Sequence, residues 1–228
     1  MTTLTPHLLC FSIISNQTTG KQRMLIHKKI DAQGNYLEFP GITVIADVDN
    51  KDKKFWLNIY EFLNGSNKLR RYYAPLPSSS YHMTTNNLYT QSDDANNWPI
   101  LLNDERFQRL HTKLMATPFT PTAKVVAIKV SYALQLNVAI PQFQYDLIKA
   151  IADEFGIENK IPKTLHVTLA YAYKAASDAQ IIATEIEQLA SLCLEKELRL
   201  RPPRLCFFYD MQQFFSWDGK DNPFKSNH

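Results

Sequence analysis

Apolar and polar residues recur along this chain in two periods, and the changes from one to the other lay out an order of elements. Residues 36–47, YLEFPGITVIAD, have strand composition interrupted by Pro40-Gly41, and residues 54–62, KFWLNIYEF, alternate loosely at period two. With the polar stretch 48–53 between them, they predict a hairpin. After residues 68–73, the segment 74–80 brings two prolines and three serines, a turn signal ahead of 81–90, which reads as a strand. Residues 104–115 set Phe107, Leu110, His111 and Leu114 at helical spacing behind a cap at Asn103, and predict a helix. Residues 124–134 are rich in β-branched side chains and read as a strand. Residues 142–155 gather Leu147, Ile148, Ile151 and Phe155 on one helical face before Gly156. Residues 164–173 are again β-like, 178–198 form the longest predicted helix behind a cap at Ser177, and 204–210 supply a last strand. Strands and helices interleave, but hairpin-like pairs accompany them. That favours an α+β fold with antiparallel sheets over a doubly wound parallel sheet.

Composition narrows the function more than the fold. With 228 residues, 45% of them hydrophobic and 21% charged, the chain can bury roughly 70–75% of its unfolded surface as one compact body, which excludes intrinsic disorder. Its six glycines write neither G-x-G-x-x-G nor a P-loop, so the common dinucleotide and nucleoside-triphosphate sites are excluded. A net charge of +3 is too mild for a duplex-DNA binder and leaves small anions or short single strands as partners. Cys10, Cys193 and Cys206 form no C-x-x-C pair and read as reduced thiols in a cytoplasmic setting. The apolar stretch 8–14 is too short to span a bilayer and has no basic region before it, so no signal peptide or membrane segment is expected. Asp47, Asp49 and Asp52 fail as a calcium loop, because Lys51 takes a ligand position and Asp52 stands where glycine is needed. No histidine or cysteine spacing suits zinc, and no serine has the G-x-S-x-G setting.

Two segments carry candidate chemistry. Tyr81-His82-Met83-Thr84 and Leu165-His166-Val167-Thr168, 84 residues apart, each place a histidine two residues before a threonine inside a predicted strand. Strand side chains alternate faces, so His82 and Thr84 share one face and Met83 takes the other; His166, Thr168 and Val167 repeat the arrangement. Continued at the same period, the second strand would add Ala170 and Ala172 to the polar face and Leu169, Tyr171 and Tyr173 to the apolar one. In-line cleavage of a phosphodiester needs a base for the attacking oxygen and an acid for the departing one. Histidine serves either role near neutral pH, and threonine hydroxyls can donate to the non-bridging phosphoryl oxygens. This chemistry needs no metal and no cofactor. His111 reads as a half-buried helix residue, and His7, His27 and His228 need no function.

A pair of His-apolar-Thr motifs at this separation resembles the two-histidine (2H) phosphoesterase superfamily, which includes RNA 2′,3′-cyclic phosphodiesterases and enzymes acting on 2′–5′ linkages. The stretches SSSYHMTTN, FPGITVIADV and FFYDMQQF also look like a little-characterised branch of that superfamily. The resemblance implies an α+β fold in which two pseudo-symmetric lobes of antiparallel sheet, with outer helices, surround a central groove. It implies one domain over residues 1–228 with an N-terminal extension of about 1–30. His82 and His166 would be the acid–base pair, with Thr84 and Thr168 as phosphate-binding hydroxyls. Tyr81 and Tyr171 would be further substrate contacts. The expected activity is metal-independent hydrolysis of a 2′,3′-cyclic phosphate on a nucleotide or RNA end, by a monomer that engages neither duplex DNA nor membrane. Positive charge would come from Lys163, Arg70 or Arg71, and stacking surfaces from Tyr72, Tyr73, Tyr81 or Trp98. Two alternatives stand beside this reading. One is a binding module that keeps the groove without turnover; the other is an enzyme acting on ADP-ribose-type or sugar cyclic phosphates.

Overall fold

The computed structural model describes residues 28–175 and 179–225. In chain order the elements are β1 (Gly41–Asp47), α1 (Lys53–Gly65), β2 (Tyr73–Pro75), β3 (His82–Thr90), α2 (Trp98–Leu101), α3 (Arg106–Ala116), β4 (Thr122–Val130), β5 (Ala133–Ala139), α4 (Gln142–Glu154), β6 (His166–Ala172), α5 (Ala183–Cys193), β7 (Glu197–Arg199), β8 (Arg204–Phe208) and β9 (Phe215–Ser216). Among the described residues nine strands make one sheet in the order β7-β4-β5-β6-β3-β1-β8-β9, with β2 also on β6. All pairings are antiparallel. The fold is therefore the α+β antiparallel arrangement that the motifs implied.

The order β1-α1-β3-α3-β4 is repeated by β5-α4-β6-α5-β8. Each half ends by giving its last strand to the other: β4 pairs with β5, and β8 returns to β1. The halves meet where β3 and β6 lie side by side. Helices pair likewise. Lys68, beyond α1, bridges to Glu185 of α5, and Lys113 of α3 bridges to Glu154 of α4.

The segment 54–62 is a helix rather than the second arm of a hairpin. An aromatic-rich run satisfies two periods at once, and burial decides between them: Trp56, Ile59 and Leu63, at helical spacing, enter the core. The run 124–134 is the hairpin instead, turning at Ser131-Tyr132 between β4 and β5. The helix expected over 178–198 ends at Cys193. There β4 captures the chain through Val125–Lys196 and Glu195–Val125 backbone hydrogen bonds and makes it an edge strand. Glu105, not Asn103, stands at the N-cap of α3 and makes no side-chain cap bond; Asp104 before it accepts from the Arg106 N–H at 2.9 Å. The strand expected from residue 36 begins at Gly41. That glycine matters for its lack of a side chain, since a Cβ there would stand 2.2 Å from the Phe208 ring. His7, Cys10, the stretch 8–14, His27, Ser177 and His228 lie outside the described residues.

Met83 and Val167, the middle residues of the two motifs, are fully buried in the main core with Trp56, Tyr81, Leu136 and Leu169. Each such side chain contributes about 1.5–3 kcal/mol. This burial fixes the face on which the flanking histidines and threonines emerge. A second core, built from Ile42, Val44, Leu88, Phe107, Leu110, Ile151 and Trp217, lies under α3 and α4.

Candidate functional site

Met83 lies directly opposite Val167 across the β3–β6 seam. In an antiparallel register this sets His82 beside Thr168 and Thr84 beside His166, a pseudo-two-fold arrangement of two imidazoles and two hydroxyls. All four side chains line one cavity of about 350 Å³. Both motif strands then bulge at the same place. Thr85 is the extra residue between the pairs Ile45–Thr84 and Val44–Asn86, and Leu169 between Gln135–Thr168 and Leu134–Ala170.

The second bulge overturns the alternation expected beyond Thr168. With Leu169 inserted, Tyr171 joins the histidine face and lines the cavity, while Ala170 and Ala172 do not. Tyr81 goes the other way. It is fully buried, its ring edge-on to Trp56 at 5.7 Å, so it belongs to the core and not to the groove. Burial raises its hydroxyl pKa above the ordinary tyrosine value.

Each imidazole is held by its own strand entry. His82 Nδ1 lies 2.6 Å from the Ser80 carbonyl, and His166 Nδ1 lies 2.9 Å from the Thr164 carbonyl. A carbonyl oxygen only accepts, so both Nδ1 atoms carry the proton and donate it, which leaves both Nε2 atoms for chemistry in the groove. The same i−2 contact appears twice because both strands start at their histidine.

The surroundings then break the symmetry. Phe214, from the segment between β8 and β9, sets its ring edge on His82 at 4.2 Å between centroids. Burial pushes the His82 pKa from 6.5 down to about 4, with the charges of His166 and Arg204 acting the same way; the Ser80 carbonyl and Asp47 oppose. Asp47 sits opposite His82 on β1 and is held by Arg204 in a two-point contact of 2.6 and 3.2 Å. The Arg204 guanidinium also donates to the Phe214 carbonyl at 3.4 Å, tying that segment to the site. His166 also lies below its ordinary value, first through burial and then through Lys129 and Lys29.

The hydroxyls differ too. Gln135, buried and opposite Thr168 on β5, donates from Nε2 to the Thr168 hydroxyl oxygen at 3.3 Å. That accepted bond leaves the Thr168 O–H free to point into the groove. Thr84 faces Ile45 at the matching position, which offers no such bond.

The positive charge comes from unexpected places. Lys163, Arg70 and Arg71 are exposed and outside the cavity, which is lined instead by Lys29 and Lys160. Lys29 lies over the Phe39 and Tyr171 rings at 4.9 and 5.1 Å, and Lys160 over Tyr89 at 4.1 Å. None of Tyr72, Tyr73, Tyr81 and Trp98 lines the groove; Tyr89, Tyr132 and Phe214 do, each partly exposed. Sequence reading named Tyr171, which also lines the groove, but had no signal for Gln135, Lys29, Lys160 or Phe214, whose places depend on distant pairings. Among the described residues no three His, Cys, Asp or Glu side chains gather to hold a metal ion, and no helix is long and apolar enough to cross a membrane. Cys193 and Cys206 are buried free thiols, both pushed up to about 12 by burial.

Comparison with known proteins adds the following. Residues 29–137 match the family model 2H-phosphodiest, described as a domain of unknown function (DUF1868). A curated relative, uncharacterized protein 127L of Invertebrate iridescent virus 6, is 25% identical over 169 residues, covering 64% of this chain and 72% of the viral protein. Among solved structures, the conserved protein of unknown function ATU0111 from Agrobacterium tumefaciens str. C58 superposes with a TM-score of 0.60 at 18% identity, covering 83% of this chain and 89% of that one. Usb1 of Kluyveromyces marxianus aligns with a TM-score of 0.42 at 12% identity, over 78% and 97% of the two chains.

Proposed function

We propose that this chain, which matches a two-histidine phosphodiesterase family model over residues 29–137, is a metal-independent phosphodiesterase of that superfamily hydrolysing a 2′,3′-cyclic phosphate on a nucleotide or RNA end. The observation that carries this reading is the Met83–Val167 register, with an imidazole and a hydroxyl from each motif facing one cavity.

In this reading a phosphate sits between the two Nε2 atoms. His82, neutral above about pH 4, takes a proton from the attacking water. The new P–O bond forms as the bond to one ribose oxygen breaks, and His166, in its protonated form, gives its proton to that departing oxygen. Charge accumulating on the non-bridging oxygens meets Thr84, Thr168 and the Lys29 ammonium. The open ring leaves as a phosphomonoester, and the histidines have exchanged protonation states until solvent restores them. The exchange of β4 and β8 supports treating the two lobes as one working domain, and the two buried thiols suit a cytoplasmic setting.

The test is incubation of the purified protein in EDTA with 2′,3′-cyclic nucleotides, 2′–5′ and 3′–5′ dinucleotides, and sugar cyclic phosphates, with product analysis. Ring-opened monophosphates from the first group support the proposal. Tight binding without turnover of any compound would make the protein a binding module instead.

A further inference from the structure

Lys29 and Lys160 reach the groove from different parts of the chain, yet they are held in the same way. Each ammonium rests on a tyrosine that lies on a motif strand, Tyr171 on β6 and Tyr89 on β3. Neither has a carboxylate within salt-bridge distance among the described residues. A π face attracts a cation without using its N–H groups, so donors remain for an anion on both lysines; Lys29 gives one of its own to the Tyr171 hydroxyl at 3.4 Å. Their positions differ. Lys29 rests on Tyr171, which β5 places two steps from Thr168, between Gln135 and Ala133, or roughly 7 Å at a strand rise of ~3.3 Å per residue, and it lines the cavity with both histidines. Lys160 follows Tyr89, and β1 covers the stretch from Thr84 to Tyr89 in the three steps from Ile45 to Ile42, or roughly 10 Å at a strand rise of ~3.3 Å per residue. That is longer than the span of one phosphate held between the histidines.

Resting on the hydrolase reading above, we infer that Lys160 on Tyr89 is a second phosphate site, so that the substrate is an oligonucleotide end carrying at least one further phosphate and not a cyclic mononucleotide. Asn87 and Thr90 line the same end of the groove and add hydrogen-bonding groups for the intervening nucleotide. Asp93, on that rim, is occupied by Lys28 at 3.4 Å and by the Thr90 hydroxyl at 2.8 Å. Asp94 beside it also lines the groove and offsets part of the positive charge there.

The experiment compares uridine 3′-phosphate with a trinucleotide ending in a 3′-phosphate, by equilibrium titration, and the corresponding 2′,3′-cyclic compounds by kcat/KM. The wild type should prefer the trinucleotide by about tenfold in both measurements. In Lys160→Met the preference should fall to within about twofold, and the slope of log K against log salt should lessen by about 0.7, the value for one single-strand phosphate contact. Lys160→Arg should keep the preference. Equal binding of the two products by the wild type, or a preference that survives in Lys160→Met, overturns the second site. If neither cyclic compound is hydrolysed, the hydrolase reading fails, while the binding ratio still decides the second site.

Discussion

Replacing Phe214 with alanine tests whether the segment after β8 sets the charge state of His82. The ring covers one face of the imidazole at 4.2 Å between centroids, and burial is the largest cause holding that imidazole at about 4 instead of 6.5. Removing the ring admits water to that face, while Arg204, His166 and the rest of the wall stay in place. The recovery should therefore be partial, a rise to about 5, equivalent to roughly 1.4 kcal/mol between the two protonation states. Histidine titration by NMR reads this directly, with Phe214→Leu as the variant that keeps the cover. The same change appears in activity, with a definite sign. Under the proposed mechanism His82 acts when neutral, so kcat/KM falls as pH drops through its pKa, and at pH 5 its neutral fraction goes from about 0.9 to about 0.5 in the variant. The same mechanism assigns the alkaline limb to His166, which it requires protonated and which lies below its ordinary 6.5, so the wild-type optimum should sit on the acid side of neutral. A folded Phe214→Ala protein in which His82 titrates as in the wild type would refute the reasoning.

Three further outcomes are expected. His82→Ala and His166→Ala should each lower kcat/KM by roughly 10²–10⁴-fold in EDTA with an unchanged melting profile, and full activity in the double variant would end the acid–base assignment. Gln135→Leu should reduce kcat about tenfold with little effect on KM, because the Thr168 hydroxyl loses the donor that orients it; Thr168→Val should then add little to Gln135→Leu, whereas additive losses would show that the two act separately. Gly41→Ala should destabilise the fold by about 1–3 kcal/mol, because its Cβ would lie 2.2 Å from Phe208, and a denaturant midpoint equal to wild type would show that the ring moves freely.

Much of the site can be read in the sequence because the motif is local. A histidine and a threonine two residues apart share a face of any regular strand, and an apolar residue between them points to the core; Met83 and Val167 do that. The helices Arg106–Ala116 and Gln142–Glu154 are legible for the same reason, their burial repeating every third or fourth residue. Period fails where one run fits two patterns, as in Lys53–Gly65, and where a turn of two residues splits a continuous β-branched stretch, as at Ser131-Tyr132.

What the chain determines by itself is the chemistry on offer: two imidazoles and two hydroxyls on strand faces, a mild positive charge, and no glycine-rich phosphate loop. Tertiary structure decides how these meet. The Met83–Val167 pairing brings residues 84 apart into register, the Leu169 bulge turns Tyr171 into the groove while Tyr81 stays in the core, and the returning segment lays Phe214 on His82. These are contacts between distant positions, fixed by the packing of the whole sheet, and no window of sequence short enough to show a period contains both partners.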